Sequence, residues 1–384
     1  MEITAVEVAF VSVGRAYGTT SAVKETEEST FGFVRLRAVD GSTGVGEISD
    51  VEHPESMPSA EAVADELRSF LLGRDPRRLN GLTAELGEAV ELGEVGFHTF
   101  QQLTLAAADA ALYDLVGRIY EVPAYQLLGG RTQDVPLCWV AYTRQDPDAL
   151  DALCEEVRTR HEQGFSAFKL KVGEVDPAID RERIAAVREA VGDDAQVFVD
   201  AQGVWDLDEA IENVRLFEEV GIDGVETPVG HPDPDPDVDA PGHYYDVPLL
   251  PSELASVREE TATPVFEHVH DPAFGLALVE ADAVDVFTVE ACAGGLSRAQ
   301  RVLAVAESAG LDARLGGTGE LGVGTLAAGA LGAASGTVTY PCDLAGPMIY
   351  DESVVETDEF YRDGRLRPPE SPGIGVSLPP GPFE

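Results

Sequence analysis

The chain has 384 residues, 44% of them hydrophobic, with 26 basic side chains against 70 acidic ones and a formal charge of −44. That balance excludes a nucleic-acid binder, which needs a basic stripe, and a protein that docks on an anionic membrane. The apolar fraction is too high for a disordered acidic tail and sufficient for a large core.

The acidic residues are spread along the whole sequence, and lysine occurs only three times, at Lys24, Lys169 and Lys171. Self-repulsion on this scale is tolerable when salt shortens the Debye length to roughly 3 Å near 1 M. The composition therefore predicts adaptation to a high-salt cytoplasm. Four cysteines show no CxxC spacing and read as free buried thiols of a reducing interior. Met1-Glu2-Ile3-Thr4 carries no basic region followed by an apolar run, and no stretch nears the roughly 18 apolar residues of a membrane span. A soluble, cytoplasmic protein is expected.

Residues 4–13, 32–39 and 44–47 alternate like antiparallel strands, with Asp40-Gly41 as the turn between the last two. Helical patterns follow at about 58–72 and 98–118, the second alanine-rich and apolar on most faces. From about 135 the rhythm changes. Short β-rich runs at 135–142, 167–172, 197–201, 224–228, 264–269, 286–292, 313–317 and 338–340 alternate with helical segments such as 148–163, 177–191 and 206–220. This is the α/β pattern of a parallel barrel rather than an open sheet. Residues 230–247 are Asp/Pro-rich, break the rhythm and read as an inserted loop. The Pro/Gly-rich tail is too short for a domain of its own. The expected division is an α+β capping domain at 1–130, a barrel at 131–345, and a tail at 346–384 that returns to pack on the capping domain.

Reacting groups of such a barrel lie at the C-terminal ends of its strands. Those ends carry Lys169 and Lys171, then Asp200, Glu226, Glu267, Glu290 and, near the seventh, Glu320. Lys169 and Lys171, two apart, point to the same side of their strand. Carboxylates closing apolar runs are costly to bury unless neutralised. Asp200, Glu226 and Glu267 together make an oxygen-only site suited to Mg²⁺, with Mn²⁺ as substitute. A cation facing amines suggests removal of a proton from the carbon next to a carboxylate, through an enediolate, by a lysine base.

At this point the chain resembles the enolase superfamily, and within it the muconate lactonizing enzyme subgroup related to mandelate racemase. Val45-Gly46-Glu47 is similar to the family's hairpin end. Residues 107–117 followed by Pro123-Ala124-Tyr125-Gln126-Leu127-Leu128-Gly129-Gly130 are similar to its A-x-x-D-x-x-G…P-x-x-x-LLGG run. Lys169-Leu170-Lys171 resembles the K-x-K strand, Val199-Asp200-Ala201-Gln202 the V-D-A-N strand, and Glu226-Thr227-Pro228 the E-x-P turn. Residues 317–325 and Pro372-Gly373-Ile374-Gly375-Val376 resemble its closing motifs. The resemblance implies a modified (β/α)7β TIM-type barrel under a capping domain, a small carboxylate substrate and a homo-oligomer. It implies Asp200 and Glu226 as metal ligands, Lys171 as general base and Lys169 as the holder of the substrate carboxylate. Glu267 is expected as third ligand in preference to Glu253, which falls in the helix before the fifth strand. His268 and His270 read as surface or supporting residues beside that ligand.

Glu290 stands where the subgroup has a second lysine on the sixth strand. Dipeptide epimerases, N-acylamino-acid racemases and succinylbenzoate synthases of the family use both lysines. Sugar-acid dehydratases and mandelate racemase have Asp there, paired with a seventh-strand histidine, but no histidine follows His270. Glu290 is thus either an acid or base or a structural partner of a lysine, and Glu320 either touches substrate or orients Lys171 or a water. Loops 14–24 and 50–58 are expected to set specificity, with Tyr17, Lys24 and Gln202 as substrate contacts. The reading is an Mg²⁺-dependent isomerase, a cycloisomerase or epimerase of the lactonizing type; the alternative is an acid-sugar dehydratase using Lys171 and Glu290.

Overall fold

The computed structural model describes the chain except residues 21–24, 52–53, 55–56, 90–98, 131–132, 143–148, 231–241, 245–246, 352–353, 380 and 384, with backbone alone for 17–20, 25–26, 87–89, 149, 242–244 and 247–248. Its N-terminal part is a three-stranded antiparallel sheet of β1 (Ile3–Thr20), β2 (Glu25–Ala38) and β3 (Thr43–Val51), in that order. Strand β1 runs well past the expected end at residue 13, so the region read as a loop is largely strand. Lys24 lies outside the described residues, as does the side chain of Tyr17. Helices α1 (Ala60–Leu71), α2 (Leu79–Ala89) and α3 (Phe100–Tyr120) cover the sheet.

Helix α3 is capped by Thr99 and Gln102, which exchange side-chain and backbone hydrogen bonds. It lies directly on β3 because that strand offers two glycines. A Cβ on Gly46 would sit 1.9 Å from the Ala107 carbonyl, and one on Gly44 would sit 2.2 Å from that of Ala111. Helix backbone therefore touches strand backbone, and no larger residue fits.

After the short helix α4 (Ala124–Leu128) and β4 (Val135–Pro136), a seven-stranded parallel sheet is built from β5 (Trp139–Ala141), β6 (Ala167–Lys171), β7 (Gln196–Asp200), β8 (Gly224–Glu226), β11 (Val265–His268), β12 (Val286–Val289) and β13 (Asp312–Leu315). The missing numbers belong to a separate hairpin, β9 (Gly242–Tyr244) and β10 (Val247–Leu249), at the end of the insertion. Helices α5 (Ala149–Glu162), α6 (Pro177–Val191), α7 (Leu207–Glu218), α8 (Pro251–Glu260), α9 (Pro272–Glu280), α10 (Leu296–Ala309) and α11 (Val323–Ala334) alternate with the strands.

The gap between β13 and β5 is filled by extended residues 337–343. Thr339 donates its N–H to the Ala313 carbonyl (3.0 Å) and Asp343 to that of Leu315 (2.9 Å) on one side, and Cys342 accepts from Cys138 (2.8 Å) on the other. This closes a (β/α)7β barrel whose floor is an aromatic layer of Phe198, Phe266 and Tyr340.

Two buried carboxylates join the capping part to barrel helices. Asp109 of α3 accepts from Ser297 N–H (2.8 Å) at the start of α10, and Glu47 of β3 accepts from Leu321 N–H (2.7 Å) and Gly324 N–H (2.9 Å) at the start of α11. Both sit at helix N-termini, where negative charge is favoured. The tail touches both parts. Strand β14 (Tyr361–Arg362) pairs with β15 (Arg365–Leu366), which pairs with β4, while Asp114 of α3 accepts from Ile374 N–H (2.9 Å). Among the described residues no helix is long and apolar enough to cross a membrane.

Candidate active site

Alternation along β6 turns Lys169 and Lys171 into the barrel, above the aromatic floor. Lys171 Nζ lies 2.5 Å from Asp200 Oδ2, at the end of β7. Lys169 Nζ pairs with Glu226, at the end of β8, and lies 2.6 Å from Asp343 Oδ2 and 3.6 Å from Asp200 Oδ2. The Lys171 side chain keeps 11% of its surface exposed, against 3% for Lys169 and none for Asp200 and Glu226. Of the two strand lysines, Lys171 is thus the more accessible, and Lys169 is sealed in the barrel.

Three residues of this network, Asp343, Arg314 and Thr288, were not anticipated from sequence. Arg314 on β13 is fully buried, pairs with Asp343, and places Nη1 3.5 Å from Glu226 Oε1. Thr288 of β12 donates to Glu226 Oε1 at 2.6 Å. Burial opposes charge on Lys169, but Asp343 and Glu226 outweigh it and hold the ammonium above its ordinary range. Burial likewise opposes charge on Glu226, yet Lys169, His268 and Arg314 hold its carboxyl well below the usual carboxylate range.

The third expected ligand needs correction. Phe266 packs against Phe198 in the barrel floor, rings 5.2 Å apart, so the next inward residue of β11 is His268 and not Glu267. Asp200, Glu226 and His268 present one donor atom each, all within 4.8 Å of one another. Glu267 faces the other way, accepting from Thr227 Oγ1 (2.9 Å) and from His268 N–H (2.8 Å), and burial pushes its carboxyl up to about 8. Glu253 lies in the first turn of α8. The oxygen-only set expected for Mg²⁺ is therefore not formed. Two carboxylates with an imidazole fit a divalent cation that accepts nitrogen.

Glu290 follows β12 and places Oε1 3.0 Å from His268 Nδ1, while Nε2 of that ring lies 3.6 Å from Glu226 Oε2. Burial would lower the imidazole, but Glu290 and Glu226 outweigh it and push its pKa up to about 10. The structural partner of Glu290 is therefore a histidine, where sequence offered a lysine. Glu320 lies in the turn before α11, buried near Glu47, Glu290 and Cys292, and burial pushes it up to about 8. Gln202, buried and with φ 54°, donates its backbone N–H to Asp200 Oδ1 at 3.0 Å, which orients that carboxylate.

Two family models match. Residues 5–129 match the mandelate racemase / muconate lactonizing enzyme N-terminal domain, and residues 152–381 match the enolase C-terminal domain-like family. The chain belongs to the enolase superfamily. Among curated members, chloromuconate cycloisomerase of Pseudomonas putida is 29% identical over 99% of this chain and 97% of its own. Muconate cycloisomerase 1 of Rhodococcus opacus is 27% identical over 90% and 87%. Muconate lactonizing enzyme from Pseudomonas fluorescens, solved with muconolactone, superposes with a TM-score of 0.85 at 23% identity, covering 100% of this chain and 98% of that one. N-succinyl Arg/Lys racemase from Bacillus cereus does so at 0.84 and 22%, covering 100% and 97%. This enolase-superfamily enzyme thus shares its whole architecture with members of more than one reaction type.

Proposed function

We propose that the protein is a cycloisomerase of the muconate lactonizing type, interconverting an unsaturated dicarboxylate and its lactone with Lys171 as the single acid–base group. The observation that carries this reading is the asymmetry of the barrel mouth. One wall presents a partly exposed lysine, and the opposite wall presents Glu290 engaged with His268. Epimerisation at one carbon needs a proton carrier on each face. Lactonisation needs only one, because addition of a carboxylate oxygen to the conjugated double bond leaves a single carbon to be protonated.

In the ring-closing direction, the ammonium of Lys171 delivers its proton to the carbon next to the second carboxylate; in the reverse direction the neutral amine removes it. Lys169, held charged by Asp343 and Glu226, sets positive charge beside that carboxylate. Asp200, Glu226 and His268 would hold a divalent cation, which when bound supplies further positive charge to the developing enediolate. Arg314 keeps Glu226 ionised and fixed from below. The curated relatives named for muconate and chloromuconate support a dienoic dicarboxylate as substrate.

The test is loss of the diene's ultraviolet absorbance on adding enzyme to cis,cis-muconate and chlorinated analogues in high KCl with a divalent cation. Turnover that falls by about a thousandfold or more in Lys171→Ala supports the assignment. Full activity in that variant removes Lys171 from the chemistry. Inert dienes together with release of a keto acid from acid sugars would instead establish the dehydratase.

A further inference from the structure

We propose that Arg314 is a positioning residue: acting through Asp343, it fixes the ammonium of Lys169 in the orientation that receives the substrate carboxylate. The inference rests on the reading above, in which Lys169 sets positive charge beside that carboxylate. It assigns a task to a buried cation that takes no part in moving the proton.

The observation is a closed ring of four charges. Asp343 gives Oδ2 to Lys169 Nζ, at 2.6 Å, and Oδ1 to Arg314 Nη2. Glu226 gives Oε2 to Lys169 Nζ and turns Oε1 to Arg314, whose Nη1 lies 3.5 Å away. Each carboxylate is shared, one oxygen to each cation, and the signs alternate around the ring. All four side chains are at most 3% exposed, so water screens these charges little.

The four members come from four places in the barrel wall. Lys169 lies on β6, Glu226 on β8, Arg314 on β13, and Asp343 on the segment that closes the barrel. Register sets Arg314 beside Thr288, whose hydroxyl donates to the same Glu226 Oε1 at 2.6 Å. The guanidinium carbon lies 5.6 Å from the Phe198 ring centre and 5.9 Å from that of Phe266, so the aromatic floor supports it. A planar fork can serve two carboxylates at once, whereas a lysine in its place is a point charge.

An ammonium has three N–H donors. Asp343 and Glu226 take two from Lys169, which leaves one aimed by them for the substrate. Without Arg314, Asp343 loses the partner that anchors Oδ1 and is free to turn together with Lys169. One uncompensated negative charge is also left in the chamber that the substrate carboxylate enters.

The experiment uses the full chain in high KCl, grown with ¹⁵N-lysine. Lys24, Lys169 and Lys171 are its only three lysines, so the ammonium spectrum is assigned with Lys24→Arg and Lys171→Arg alone. In Arg314→Met the Lys169 signal should shift, and its protons should exchange with water about tenfold or more faster than in the wild type. In an Asp343→Asn background, Arg314→Met should add little. With cis,cis-muconate under the conditions above, Arg314→Met should raise KM about 10- to 100-fold with kcat nearly kept, because the carboxylate is held both before and after the proton moves. Arg314→Lys should recover part of both effects. A Lys169 signal unchanged in Arg314→Met, or an equal change in the Asp343→Asn background, overturns the inference. So does a fall in kcat at unchanged KM, the mark of lost active protein. If the wild type turns over no diene, the cycloisomerase reading falls and the ammonium spectra alone decide the role of Arg314. If Arg314→Met does not fold, Arg314→Gln takes its place in every measurement.

Discussion

Replacing Lys169 by Met removes an ammonium that faces three buried carboxylates at once. Its Nζ pairs with Glu226, lies 2.6 Å from Asp343 and 3.6 Å from Asp200, and all four side chains are at most 3% exposed. Breaking a buried ion pair by removing one partner costs about 3–5 kcal/mol, because an uncompensated charge is left in a poor solvent. Arg314 still pairs with Asp343 and stays 3.5 Å from Glu226, which places the expected loss near the lower end, about 3 kcal/mol. Urea unfolding at fixed high KCl measures it as a fall in midpoint at constant slope.

Because its carboxylate partners hold Lys169 above its ordinary range, the contribution is fully present below the unfolded lysine value of about 10.4 and disappears only above it. The loss should therefore be the same at pH 6 and pH 9. Adding Asp343→Asn to Lys169→Met should recover part of it, with a coupling of about 1–3 kcal/mol. A loss below about 1 kcal/mol, or strict additivity in the double variant, refutes the buried network.

Further predictions concern how the two parts are held together. Glu320 titrates near 8 in the fold against about 4.3 unfolded, so its contribution is present at low pH and lost as pH rises through 8. Stability should fall between about pH 5 and pH 8 by up to about 1.4 kcal/mol per pH unit from this group, and Glu320→Gln should flatten that slope in melting curves. Gly46→Ala brings a methyl to 1.9 Å from the Ala107 carbonyl and should destabilise by about 1–3 kcal/mol, read as a lower melting temperature; a neutral result contradicts the backbone contact of α3 with β3. Asp114→Ala strips the acceptor from the N–H groups of Val45 and Ile374 and from Arg118. It should cost about 2–4 kcal/mol and open the 370–376 segment to limited proteolysis, and an unaltered digestion pattern argues against that anchor.

The barrel was legible because its strands are short apolar runs closed by polar residues, and the two-residue spacing of Lys169 and Lys171 fixes their common face. The inward side of β11 was not. Glu267 and His268 are adjacent and both polar, so alternation says that one faces in without saying which. The deciding fact is a contact across 68 residues of sequence, Phe266 on Phe198. Arg314 and Asp343 were hidden for a similar reason, since Asp343 meets Lys169 only once the segment closing the barrel is in place. A signal was available for Arg314, a cation within the otherwise apolar Ala313–Leu315 run. Helix α2 carries Gly81 and Gly87, which blur its period, and it escaped notice. Glu47 was matched as part of a motif, but its work on the N-terminus of α11 lies 274 residues away in sequence.

The central claim is that one lysine, Lys171, moves the proton, and that it does so on one face of one carbon. Turnover of cis,cis-muconate or a chlorinated analogue in D₂O, with the lactone examined by NMR, tests this most directly. The account predicts a single deuterium next to the carboxylate, in one configuration, and no product from Lys171→Ala. Deuterium in both configurations at that carbon, or deuterated lactone from the Lys171→Ala protein, would contradict it.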